Sequence, residues 1–138
     1  MANNILLHIP PPPIKALREL LRVSKKYVII RTVFGERNYI IQEVLTNSDF
    51  KINKPDTALF KADGSPMSFN YFNLYTEIYF RDLIRKLAPK AKVSIVKDLS
   101  YKKFNNIKTT RSTGTKVVNG LQVSGNLLLD WRFIIIEK

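Results

Sequence analysis

The sequence predicts a single α/β domain over residues 1–138, and three features carry that expectation. Ile5-Leu6-Leu7-His8-Ile9 and Tyr27–Val33 are apolar runs without alternation, the pattern of strands buried on both faces. Between them, Ile14–Val23 sets Ile14, Leu17, Leu20 and Leu21 on one side of a helix, with Lys15, Arg18, Glu19 and Arg22 largely on the other. At the far end, Trp131–Glu137 is dense in Phe133, Ile134, Ile135 and Ile136 and reads as a central strand. A strand–helix–strand unit this short implies two parallel strands, Ile5–Leu7 and Tyr27–Val33, joined by a right-handed crossover.

The elements follow in order. Pro10–Pro13 stops the first run, and Ile14 opens a helix directly after a proline. Ser24-Lys25-Lys26 is a tight connection, and Gly35 ends the second strand. Arg37–Leu45 collects Ile40, Ile41, Val44 and Leu45 on one side and predicts a helix; Thr46–Pro55 is a polar loop. Asp63-Gly64 predicts a type I′ hairpin between Leu59–Ala62 and Ser65–Phe72, with Pro66 placing the return strand at an edge. Thr76 caps a helix over Glu77–Leu87, whose Phe80, Leu83, Ile84 and Leu87 share a face and whose last turn holds Arg85 and Lys86, where the helix dipole favours cations. Lys92–Lys97 alternates as a strand, with Val93 and Ile95 on one face. Asn119-Gly120 predicts a hairpin between Lys116–Val118 and Leu121–Val123, and Asn105-Asn106 marks a further turn.

Bulk composition removes several function classes. No apolar run approaches the roughly 20 residues that span a bilayer, so no membrane association is expected. There is no signal-peptide pattern at Met1-Ala2-Asn3-Asn4. Cysteine is absent, which excludes disulfides, thiolate metal sites and cysteine nucleophiles and fits a cytoplasmic setting. With one histidine and scattered carboxylates, no metal-ligand set is expected. The net charge is +12, and residues 81–118 supply +9 of it through eleven Lys/Arg against Asp82 and Asp98. That stretch reads either as a solvated surface or as a site for nucleic acid.

Three phrases carry a family resemblance: Asn4-Ile5-Leu6-Leu7-His8-Ile9-Pro10, Ala16-Leu17-Arg18-Glu19-Leu20-Leu21-Arg22-Val23, and Tyr27–Thr32. Together with Asn73-x-Tyr75-Thr76 before the next helix, they resemble the second half of the class I S-adenosylmethionine-dependent methyltransferases. The specific match covers about 30 residues, and the order of elements extends it along the chain. The resemblance implies a partial Rossmann-like sheet equivalent to the family's strands 4-5-7-6, with the last strand antiparallel and helices mainly on one face. It also implies S-adenosylmethionine as cofactor. Asn4 and His8 then fall on the cofactor side, while Arg31, Asn73 and Tyr75 fall on the substrate side. Each also has an ordinary structural reading: a polar strand start, a satisfied histidine, an ion-paired arginine, and cap or core residues.

Two departures shape the expectation. Ser24-Lys25-Lys26 replaces the family's Lys-Pro-Gly-Gly turn. The family's first three strands, with their Gly-x-Gly loop and ribose-binding acid, have no counterpart among the five glycines at 35, 64, 114, 120 and 125. The resemblance therefore implies a fragment or half, inactive alone, with an incomplete cofactor site. It would expose a strand edge and one bare sheet face, to be covered by a homodimer or by a separate N-terminal half. The competing functions are a basic, non-enzymatic nucleic-acid-binding module acting through residues 81–118, and an assembly partner of another methyltransferase.

Overall fold

The computed structural model describes residues 1–45, 59–104, 106–108, 116–124 and 127–138. Thr46–Pro55 and Asn105 lie outside these. The organising element is β9, Leu127–Glu137, eleven residues rich in β-branched and aromatic side chains that favour a pleated, buried surface. β2, Tyr27–Phe34, pairs with it antiparallel over eight positions, from Tyr27↔Glu137 to Phe34↔Asp130. β5, Lys92–Lys97, pairs antiparallel along its other side, from Lys92↔Glu137 to Lys97↔Arg132. A two-residue strand β1, Ala2–Asn3, lies parallel to β2 with Ala2↔Ile30 and Asn3↔Arg31 in register. The spatial order is thus β1-β2-β9-β5, with β9 antiparallel to both neighbours.

The N-terminal part of β9 carries a meander: β8 (Leu121–Ser124) pairs with it, β7 (Lys116–Val118) with β8, and β6 (Asn106–Lys108) with β7, giving seven strands in one mixed sheet. The β7–β8 hairpin turns at Asn119 (φ 50) and Gly120 (φ 78), the two positive dihedrals that a type I′ turn demands. A Cβ on Gly120 would also sit 3.2 Å from the Lys102 backbone. A separate two-stranded sheet pairs β3 (Gln42–Val44) with β4 (Phe69–Tyr71).

Among the described residues, two α-helices complete the fold. α1, Ile14–Val23, spans the expected residues and buries Leu17 and Leu21. α2, Glu77–Leu87, is capped by Thr76, whose hydroxyl accepts from the Tyr79 amide at 3.1 Å, and it buries Phe80, Leu83 and Ile84. Both helices pack on one sheet face, against Val28, Ile30, Phe34, Ile134 and Ile136. Val93 and Ile95 of β5 join that cluster, as alternation predicted.

Among the described residues the opposite face is covered only at one end, where Leu7, Val33, Leu74, Leu129 and Trp131 form a second, smaller cluster. Beyond it runs a row of Tyr27, Ile29, Phe133, Ile135 and Val96, and no helix among the described residues packs there. Tyr27 and Val96 are each nearly half exposed. No helix among the described residues is long and apolar enough to cross a membrane.

Four local expectations are corrected. Ile5–Leu7 is not a strand but a 3-10 turn, entered through Asn4 in the left-handed region (φ 60). Asn4 ends the strand, and the turn swings Leu6 into the first cluster and Leu7 into the second. The strand parallel to β2 therefore ends at Asn3, and the helical link runs from there. Arg37–Leu45 forms no helix: Tyr39 bridges Leu74, and Gln42–Val44 become β3. Its β-branched residues lose rotamer freedom in a helix, and a distant segment offers ladder partners instead. Asp63-Gly64 does turn the chain, but only Gly64 has positive φ (80), and the Asp63 carboxylate accepts from the Ser65 amide and hydroxyl. This is not the type I′ geometry, and the ladder shrinks to one bridge, Phe60↔Pro66. Asn106 starts β6 rather than a turn.

Ile134 has no solvent exposure and faces both helices through the first cluster. Ile134→Ala should lower unfolding free energy by about 2–5 kcal/mol in urea titration, the range for large-to-small changes in a packed core. A cost below ~1 kcal/mol would place Ile134 outside a tight core.

Candidate functional site

The C-terminal ends of the parallel strands β1 and β2 meet the two side-chain assemblies on which this site is built, and α/β folds place ligands at such ends. The first assembly centres on Arg31. In an apolar strand its guanidinium needs a partner, and it finds three. Arg31 Nε donates to Asp98 Oδ2 at 2.6 Å, Nη1 donates to Asn4 Oδ1 at 3.2 Å, and the guanidinium lies 4.0 Å from the Trp131 ring centroid. The Asp98 side chain is 2% exposed and that of Arg31 14%, so this is a buried pair. Trp131 is itself oriented by its indole N–H, which donates to Gln122 Oε1.

Burial works against the charge on Asp98. Hydrogen bonds from the Ser100 hydroxyl and amide and from Arg31, with the Arg31 charge, outweigh it and hold the carboxyl below its ordinary range.

The second assembly holds the turn that follows β1. The Asn73 amide donates to the Leu7 carbonyl at 2.9 Å, and its side-chain Nδ2 donates to the Ile9 carbonyl at 2.8 Å. His8 stands between these two points. Its Nδ1 lies 2.8 Å from the Tyr71 carbonyl, and because a carbonyl only accepts, Nδ1 carries the proton. The ring is exposed and meets Phe72 edge-on at 5.9 Å. Asn73 is fully buried, and its Oδ1 has no hydrogen-bond partner among the described residues.

Of the five residues singled out in the sequence, the structure joins Asn4 to Arg31 and Asn73 to the turn that bears His8. Leu7, Val33 and Trp131 pack between the two assemblies on one face of the sheet. Tyr75 stands apart. It packs in the cluster on the helix face, stacked on Tyr79 at 4.9 Å and edge-on to Phe80 at 5.4 Å. Its hydroxyl is buried without a hydrogen-bond partner among the described residues, and burial, with a smaller contribution from Tyr79, pushes its pKa up to about 12. Asp98, Trp131 and Tyr71 were not singled out. The only local signal was Asp98-x-Ser100, a pairing that orders a turn at the end of a strand.

Arg31 is thus committed to Asp98 and to Asn4, whereas Asn73 Oδ1, like the buried hydroxyls of Thr32 and Tyr75, has no hydrogen-bond partner among the described residues. No group of three or more His, Asp or Glu converges among the described residues. Gly64 and Gly120 sit in turns, Gly35 follows β2, and Asp98 is already paired. No family model, no curated protein and no solved structure matches the chain.

The buried pair sets a pH dependence. With its folded-state pKa depressed, Asp98 contributes stability that is full above the unfolded carboxylate value of about 3.9 and lost as pH falls through the folded value. Denaturation curves below pH 5 should show this slope, and Asp98→Asn should flatten it. Arg31→Ala, which leaves the Asp98 carboxylate with Ser100 alone, should cost about 1–3 kcal/mol at pH 7.

Proposed function

We propose that this chain is the C-terminal half of a class I S-adenosylmethionine-dependent methyltransferase, inactive alone, which completes its site with a partner that supplies the glycine-rich half. One observation carries the reading. The order β1-β2-β9-β5, with β9 antiparallel and both helices on one face, is the arrangement the family resemblance implies for strands 4-5-7-6. The Rossmann-like assignment is part of this proposal; the coarser description is a mixed α/β fold.

In this reading the turn carrying His8, braced by Asn73, forms the rim of the site nearest the reacting groups. The exposed His8 ring can orient a polar group on the methyl acceptor or the cofactor. Asn4 and Arg31 act through structure: their mutual bond fixes where β1 ends and hence where the rim begins. Methyl transfer rests chiefly on holding nucleophile and sulfonium in line, so a rim that positions is a sufficient contribution from this half. The cofactor, when bound, supplies an electrophilic methyl group.

The row Tyr27, Ile29, Phe133, Ile135 and Val96, together with the open edge of β1, is the surface for the missing half. A second copy of this chain on the same row is the alternative occupant. A cytoplasmic setting accords with the absence of cysteine.

Calorimetry tests the reading. Titration of S-adenosylmethionine into the chain alone should show no binding tighter than about 1 mM, or ~4 kcal/mol. Adding a separately produced glycine-rich half of a class I methyltransferase should bring binding into the micromolar range, about 8 kcal/mol. Micromolar binding by the chain alone would overturn the incompleteness of its site. No gain on mixing would contradict the half-protein reading, and a stable homodimer in sedimentation would assign the bare face to self-association.

A further inference from the structure

A second surface stands apart from the β1–β2 strand ends. α2 runs antiparallel to β5, with Arg81 Nη1 donating to the Val93 carbonyl at 3.2 Å and Glu77, one turn earlier, bonded to Arg132 at the other end of the strand. The last turn of α2 therefore lies beside the start of β5. Residues 81–97 hold six Lys/Arg against a single acid, Asp82.

Arg81, Arg85, Pro89, Ala91 and Val93 line a recess of about 190 Å³ with no carboxylate among its walls. Arg81 is held by Glu77, and Arg85 makes only an exposed contact with Asp82, at 3.1 Å. Lys86 and Lys90, next in the chain to Arg85 and to Pro89 and Ala91 of the recess walls, are exposed, as is Lys92 on the other face of β5, and none of the three side chains has an ion pair or hydrogen bond among the described residues. Glu137, opposite Lys92 in register, accepts from the Tyr27 hydroxyl. Among the described residues β5 pairs with β9 alone, which leaves its outer edge without a strand partner there.

We propose that this α2–β5 edge binds the phosphate backbone of a nucleic acid. Edge protection explains a lysine on β5, and the helix dipole explains a cation in the last turn of α2. Neither explains why a recess walled by two arginines adjoins three further exposed lysines, at the end of α2, in the turn after it and at the start of β5, without partners among the described residues. Guanidinium groups present fixed forks of N–H donors to phosphate oxygens, and lysines add mobile charge around them. The aromatic side chains that stack on unpaired bases are absent from the recess walls, which points to a duplex backbone rather than to splayed single strands. The inference is independent of the methyltransferase reading.

The experiment is fluorescence anisotropy of the full chain with a DNA duplex of about 20 base pairs, across potassium chloride concentrations. Each phosphate neutralised contributes about 0.9 to the slope of log affinity against log salt, so four or five contacts predict a slope near −4. The triple variant Lys86→Ala, Lys90→Ala, Lys92→Ala should flatten that slope by about 2–3. A control variant with the same charge change, Lys15→Ala, Arg18→Ala, Lys25→Ala, should leave it unchanged. All six positions are exposed, and far-ultraviolet circular dichroism verifies that both variants fold. A wild-type slope flatter than about −1 would overturn the proposal. So would equal losses in the two variants, which would reduce the effect to diffuse net charge. Tighter binding to anionic phospholipid vesicles than to the duplex, at equal phosphate, would also overturn it.

Discussion

β9 is the strand on which the rest of the molecule depends, because three other strands satisfy their backbone groups against it. β2 and β5 occupy its two sides along residues 132–137, and β8 takes its opening residues, Leu127–Leu129. Its side chains divide the fold. Ile134 and Ile136 face the helices, while Trp131, Phe133 and Ile135 face away from them. A one-residue slip would exchange these faces, burying Arg132 and exposing Ile134, and this fixes the register. The ion pairs from Arg132 to Asp130 at 2.6 Å and to Glu77 at 2.8 Å tie the same strand to the start of α2.

This arrangement explains why the two faces of the sheet differ. The helix face is closed by Leu17 and Leu21 of α1 and by Phe80, Leu83 and Ile84 of α2. Among the described residues the other face is closed only where the turn after β1 folds back and Trp131 packs beneath it. Arg31 belongs to that closed end. Its stacking on Trp131 and its bond to Asp98 bring together β2, β9 and the end of β5, so one buried charge pair fastens three strands at the site. The exposed apolar row beyond it and the exposed His8 ring lie on one side of the sheet, which is why docking of a partner and completion of a site are linked in the functional reading.

Much of this was legible locally. α1 follows from its one-sided leucines, α2 from Thr76 and the Phe80-Leu83-Ile84 spacing, and the β7–β8 hairpin from Asn119-Gly120. In each case the determining residues lie within about ten positions of one another along the chain. The failures share the opposite cause. Ile5–Leu7 is too short for periodicity to separate a strand from a turn, and its outcome rests on the dihedral of Asn4. Arg37–Leu45 became extended because its partners sit about 30 residues later, at Phe69–Leu74. Arg31 was recognisable as a charge needing a partner, but Asp98 is 67 residues away and no spacing rule reaches it. Asn73 stood out as part of a phrase, whereas its work of bracing the His8 turn became visible only in three dimensions.

Nuclear Overhauser contacts across β9 test the account most directly. Backbone proton contacts should link Ile134 to both Ile30 and Ile95, and Ala2 to Ile30 in a parallel pattern. Direct contacts between β2 and β5, or β9 with one of its sides unpaired along residues 132–137, would contradict the arrangement, and the functional reading would fall with it.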